Sequence, residues 1–332
     1  MRGFIGLTKR NLLVFFKDRS AVFFSLLTPV IVLALYQLFL KGTYTDSMNN
    51  VIRQTPGLSG MIAESDVDML VNLVMLTGIV GSALITVSFN CLRMVVEDRE
   101  DRKDYDIRAT PVRRWQIALS YFVSAALSSM LLTGMILTAG LLILRMQGEL
   151  YMGAADILKA FGITILGSVS ATALFMIVVL FFRSSAAGSA FSGILSAAAG
   201  FMIGAYIPIS DFSFAVQTAC NLFPVSQVTI LLRNILMRGM LQKIDTSLHG
   251  VDGGMFTESF RKLFSFRAYL FGTWLDMKPM LAYVTGAALA CILIQAVIYS
   301  RTGTDHPQWS LRSASLRRAG ERCSEEIINR EQ

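Results

Sequence analysis

The chain has 332 residues, of which 54% are hydrophobic and only 16% charged, with a mean hydropathy of +0.55. A soluble domain carries about 25% charged residues to keep its surface wet, so this composition excludes an ordinary water-soluble globule and calls for a surface that meets lipid. The net charge of +7 does not argue for a nucleic-acid partner, because the cations gather at the ends of apolar runs, where anionic headgroups attract them.

The first element, residues 1–20, reads as an amphipathic helix. Arg2, Gly6, Lys9, Arg10 and Lys17 fall in one sector of a helical wheel, with Phe4, Ile5, Leu7, Leu12, Val14, Phe15 and Phe16 around the other side. Such a helix lies in the membrane interface with its cations toward headgroups. Six apolar runs follow, at 21–40, 69–92, 116–144, 160–182, 186–209 and 279–299. Each reaches the roughly 20 residues a helix needs to cross a hydrocarbon core. The first run is too long and unbroken for a cleaved leader and reads as an anchor that stays.

Basic residues set the orientation. With the N-terminus inside, segments 1–20, 93–115, 183–185 and 300–332 carry 5, 7, 1 and 6 Lys/Arg, against 2 each in 41–68 and 145–159. The long 210–278 segment has 7, but loops beyond about 60 residues translocate largely regardless of charge. The expected fold is therefore an all-α integral membrane protein of six spans (21–299), with both termini cytoplasmic and a polar cytoplasmic tail over 300–332.

Ser196, Gly200 and Gly204 stand at i, i+4 and i+8 in the fifth run, a stripe that lets helix backbones approach closely. It suits helix packing within the chain or a dimer seam equally. The extracellular 210–278 segment is long for a loop. Its stretch 223–240 reads as a helix opened by Pro224 and ended by Gly239. At about 24 Å it is too short to cross comfortably, and fits a re-entrant or interfacial helix at the outer leaflet. The rest, 241–278, suggests a small ordered cap.

None of the six apolar cores contains Asp, Glu, Lys, Arg or His. Ion-coupled carriers need such a group at membrane depth, and an intramembrane hydrolase needs a base beside its nucleophile. The cysteines (Cys91, Cys220, Cys291, Cys323) and histidines (His249, His306) show no paired or ligand-like spacing, so neither disulfides nor a metal site is expected. The chain also lacks a G-x-x-x-x-G-K-[ST] phosphate cradle. No catalytic, cofactor-binding or metal residue is assigned; either the energy for any uphill transport comes from a separate nucleotidase, or the protein is a passive pore or a scaffold.

The loop after the second run is the densest charge cluster, with seven cations and six anions between Arg93 and Arg114. Orientation needs only cations, so the mixture suits either a solvated surface or a polar docking site on another protein. Pro111 predicts a turn or helix start, with Thr110 pushed out of the helical region.

Two blocks carry a family resemblance: DREDRKDYDIRATPVRR (98–114), and AYIPISDFSFAVQTACNLFPVSQVTILLRNILM (205–237). They resemble type-2 ATP-binding-cassette transporter permeases, and the similarity follows span order over most of the chain. The resemblance implies that the charged loop, 97–114, couples to the nucleotide-binding subunit through Asp98, Arg99, Glu100, Asp106, Thr110, Pro111 and Arg114. It implies an outer hairpin of short re-entrant helices before the last span, opened by the Pro224-Val225-Ser226 step with Arg233 behind it. Where relatives often carry Gly after the D-R-E triplet, this chain has Arg102. The implied assembly has two ABC ATPase subunits, which bind the ATP and Mg, and a second permease, identical or homologous. The implied role is export of a hydrophobic or amphipathic cargo (drug, peptide or lipid-like) across a bacterial inner membrane. The alternatives are an ATP-independent scaffold or channel, or a lipid-modifying enzyme using His249, Asp252 or Glu258.

Overall fold

The computed structural model describes residues 2–54, 62–248 and 254–301. The expected tail beyond Arg301, together with His249 and Asp252, lies outside the described residues. Helix α1 (Arg2–Lys17) stops where Asp18 takes over as N-cap of α2 (Arg19–Leu35), its Oδ1 accepting from the Ala21 amide at 3.0 Å. The amphipathic segment therefore ends at Lys17, three residues before the expected 20, because a carboxylate that bonds the first amides of the next helix fixes the break. Helix α2 continues through a π turn (Tyr36–Leu40) into α3 (Lys41–Gln54). Helicity thus outlasts the apolar run, and the far end is anchored by buried Tyr44 and Met48.

Helix α4 (Glu64–Cys91) leads almost directly into α5 (Arg93–Glu100), and the pair forms one apolar element of 37 residues. At 1.5 Å per residue it is about 55 Å long, well beyond a 30 Å hydrocarbon core. It is the axis of the molecule: from Met69 to Cys91 nearly every side chain is buried. Around it stand α2, α7 (Arg114–Gln147), α8 (Ala154–Val179) and α9 (Ser185–Met202), while α14 (Met277–Arg301) packs against α7 and α8; the short α6 (Lys103–Ala109) lies between α5 and α7. Among the described residues, six helices are long and apolar enough to cross a membrane. This is an all-α membrane protein with one small addition, a hairpin of β1 (Ala268–Leu270) and β2 (Thr273–Leu275) that pairs Tyr269 with Trp274.

Two expectations change on the side away from α1. The fifth helix ends at Met202 rather than 209. Gly204 has φ +69°, the Ala205 amide donates to Gly200 O at 2.7 Å and the Gly204 amide to Phe201 O at 3.2 Å. That pair of bonds is a Schellman stop, which needs a residue able to turn left-handed. The short helices between α9 and α14 are α10 (Phe214–Leu222), α11 (Pro224–Leu236), α12 (Arg238–Ser247) and α13 (Met255–Leu263). Pro224 opens α11 as the sequence implies, but the helix stops at Leu236, and Gly239 belongs to α12. Helix α11 does not lie on a surface. It bends 93° from α10 and runs, buried along nearly its whole length, against α4, α8 and α14. Gly81 and Gly167 make room for it: a Cβ on Gly81 would sit 2.3 Å from Thr229 Oγ1, and one on Gly167 2.8 Å from Val228 Cγ1. In a membrane such close backbone approach, rather than water exclusion, is what drives helices together.

Candidate functional site

The charged loop folds into helix rather than coil. Its first half is the continuation of the second span, so Asp98, Arg99 and Glu100 project from a rigid rod near the spans, not from a solvated loop. Asp98 is buried, with 3% of its surface exposed. Arg10 of α1 grips it through both guanidinium nitrogens, Nη2 donating to Oδ1 at 2.9 Å, and Tyr121 Oη on α7 donates to Oδ2 at 2.6 Å. Hydrogen bonding to Asp98 holds the Arg10 guanidinium above its ordinary pKa. Arg10 therefore turns inward while Lys9 and Lys17 stay exposed, and the face of α1 that packs is Phe4, Leu7, Thr8, Asn11 and Phe15. The apolar side chains left uncovered on α1 are Ile5, Leu13, Val14 and Phe16.

The next two residues face a different element. Arg99 Nη1 donates to Leu180 O at 2.9 Å, at the C-terminal end of α8, with Phe182 O at 3.5 Å. Glu100 Oε2 accepts from the Ser185 amide at 2.7 Å, at the first residue of α9. Each charge sits at the helix end that suits it, a cation by the orphan carbonyls and an anion by the orphan amides. None of the triplet is a free docking group: Asp98 fastens α1 and α7, while Arg99 and Glu100 hold the α8–α9 turn.

Past the triplet the chain reverses at Arg102, which has φ +60°. An L residue in that region is strained by about 1–2 kcal/mol, and glycine would adopt it without that strain. Arg102→Gly is expected to raise stability by about 1 kcal/mol, read as a higher unfolding temperature of the purified protein; an unchanged or lower one counts against the strain. Helix α6 then stands clear of the bundle. Ile107 packs back on the core while Tyr105 (61% exposed), Asp106 and Ala109 face out. Thr110 is extended (ψ 154°), as expected before Pro111, and its hydroxyl donates to Ile107 O at 2.5 Å. Thr110, Pro111 and Arg114 are exposed. Of the seven residues singled out in this loop, then, three are bonded to other helices, Glu100 from an exposed position, and four face outward. The bonded set had no signal within the loop itself, because its partners lie 23 to 88 positions away.

The family profile described as "ABC-2 family transporter protein" matches residues 45–300. The chain belongs to this family. No curated protein and no solved structure matches it. As an ABC-2 protein it is a multi-pass membrane permease, a transport component of a kind not typically catalytic, and its membership implies association with an ABC ATPase subunit.

The other residues marked in this ABC-2 permease lie elsewhere. Ser226 is fully buried and its hydroxyl donates to Met202 O at 2.7 Å, satisfying a carbonyl at the end of α9. Arg233 is enclosed, with Nη1 on Phe264 O. The small-residue stripe is not a continuous seam. Ser196 Oγ bonds Thr28 Oγ1 of α2 at 3.2 Å, Gly200 lies under the Tyr206 ring and Gly204 is the helix stop. All three are engaged within the chain. The glycines that admit a neighbouring helix include Gly81, Gly140 and Gly167, whose signal in the sequence is only small size amid large apolar residues.

Proposed function

We propose that this permease is the membrane half of an ATP-driven exporter, moved by an ATPase that docks on α6 and the 110–114 step. The observation that supports this is the division of the charged loop. Residues 101–114 present Tyr105, Asp106, Thr110, Pro111 and Arg114 outward, while the rod behind them is bonded to α1, α7, α8 and α9. A push on such a lever reaches four helices. Two ATPases and two permeases would form the working unit, with α1 and α6 on the cytoplasmic side of a bacterial inner membrane and the 203–276 side outside. There α10 and α11 form a re-entrant pair. The bent helices, the near-complete burial of α11 and its bond to the end of α9 through Ser226 support that reading. The apolar faces of α2, α9 and α14, with Phe23, Phe24, Ile194, Phe201, Leu289 and Leu293 uncovered, favour a hydrophobic or amphipathic cargo.

Docking is tested by changing exposed groups that hold nothing else in place. Tyr105→Ala with Asp106→Lys is expected to weaken co-purification of the ATPase about tenfold, roughly 1.4 kcal/mol, while the permease keeps its unfolding temperature. Undiminished capture of the ATPase by that variant would remove α6 from the interface. ATP-dependent flux in vesicles holding both subunits, absent without the ATPase, tests export itself.

A further inference from the structure

The α8–α9 turn receives two charge-assisted bonds from the same two successive residues, and their signs are not interchangeable. Arg99 meets carbonyl oxygens where α8 ends, Glu100 meets an amide where α9 begins, and swapping them would set each charge against the wrong end of a helix dipole. The turn is short, since α8 ends at Val179 and α9 begins at Ser185. On its inner side Phe182 stacks with Phe89 and Phe191 at 6.2 and 5.2 Å, so the turn moves as a body with the start of α9. The Ser184 side chain caps the Ala187 amide at 3.3 Å, leaving the Ser185 amide to Glu100. Helix α9 itself leaves much of its apolar surface uncovered, as α2 and α14 do.

We infer that Arg99 and Glu100 are positioning residues that deliver movement of the charged loop to the fifth span, by pulling on both ends of the α8–α9 turn. Neither residue touches the ATPase in this scheme. The bonds are strong because one partner of each is ionised, yet each can break singly, so they transmit a small displacement without fusing the loop to α9. The inference rests on the proposal that the loop is where the ATPase acts.

The test is hydrogen exchange on the full transporter, permease with its ATPase, with and without Mg-ATP and vanadate. In the unaltered protein, nucleotide is expected to change exchange in two segments, 101–110 and 186–192, each by about tenfold, the size of a typical coupling free energy. In Arg99→Ala/Glu100→Ala the response of 101–110 persists and that of 186–192 disappears. Glu100→Gln alone, which keeps an acceptor for the Ser185 amide, restores most of it. A double variant in which 186–192 still follows nucleotide overturns the inference and leaves the docking proposal intact. Absence of any nucleotide response at 101–110 in the unaltered protein overturns both.

Discussion

Replacing Asp98 with alanine is expected to lower the stability of the membrane domain by about 3 kcal/mol, the range for removing one member of a buried, charged hydrogen-bonded set. The carboxylate accepts from Arg10 and Tyr121 together, so its loss removes the ionic tie of α1 to the second span and takes an acceptor from Tyr121 in one step. Arg10→Ala should be milder, because the Arg10 side chain is 34% exposed and Asp98 keeps its bond to Tyr121. Asp98→Asn retains an acceptor and should fall between the two. Monodispersity of the detergent-solubilised protein after a graded heat step provides the measurement. The Arg10→Ala/Asp98→Ala pair should be clearly less than additive, since both remove the same contact. Equal unfolding temperatures for Asp98→Ala and the unaltered protein, or full additivity, would show that the clasp does not hold. The same result bears on function: a charge reversal at Asp98 cannot be read as a docking test, because it breaks the fold first.

The second large effect lies at the α4–α11 contact. Gly81→Ala should destabilise by about 2 kcal/mol, within the usual range for overpacking a tight core. The new methyl would stand 2.3 Å from Thr229 Oγ1 and 2.9 Å from Ile203 Cδ1. The isoleucine end can rotate aside, whereas Thr229 is fully buried and bonded to Val225 O at 2.9 Å. Thr229→Ala removes the two threonine atoms in the way, Oγ1 and Cγ2, and leaves only the isoleucine end to move; its lost bond is a local one to its own helix turn, so alone it should change little. The double variant Gly81→Ala/Thr229→Ala is therefore expected to recover most of the loss. A double variant no better than Gly81→Ala would mean that something other than this contact holds α11.

The six helices of membrane-crossing length were legible because a run of about 20 apolar residues has few other uses, and each overlaps its expected run with shifted ends. What the runs could not show was which helix lies at the centre. Helix α4 and helix α14 are equally apolar, yet one is enclosed and the other mostly uncovered. Lipid and protein neighbours ask for the same side chains, so hydropathy does not separate them. The polar marks on α4, from Asn72 to Asn90, were the available clue, since hydroxyl and amide groups prefer helix neighbours to lipid. Gly204 misled for a related reason. Small residues at four-residue spacing indicate a seam only while the helix continues, and a glycine followed closely by Pro208 also spells a stop. The charged loop was only partly legible. Its mixed ions left a solvated surface and a docking site equally open, and an ion pair that bridges residue 10 to residue 98 buries charge in a way local composition cannot reveal.

That early stop at Gly204 has a consequence for the bilayer. Helix α9 has 18 residues, which span about 27 Å, against 37 for the element formed by α4 and α5. Where the outer face of α9 meets acyl chains, hydrophobic mismatch makes the leaflets pinch toward it, at a fraction of a kcal/mol for each ångström. A thinned annulus on one flank shortens the distance an amphipathic molecule must travel through oil.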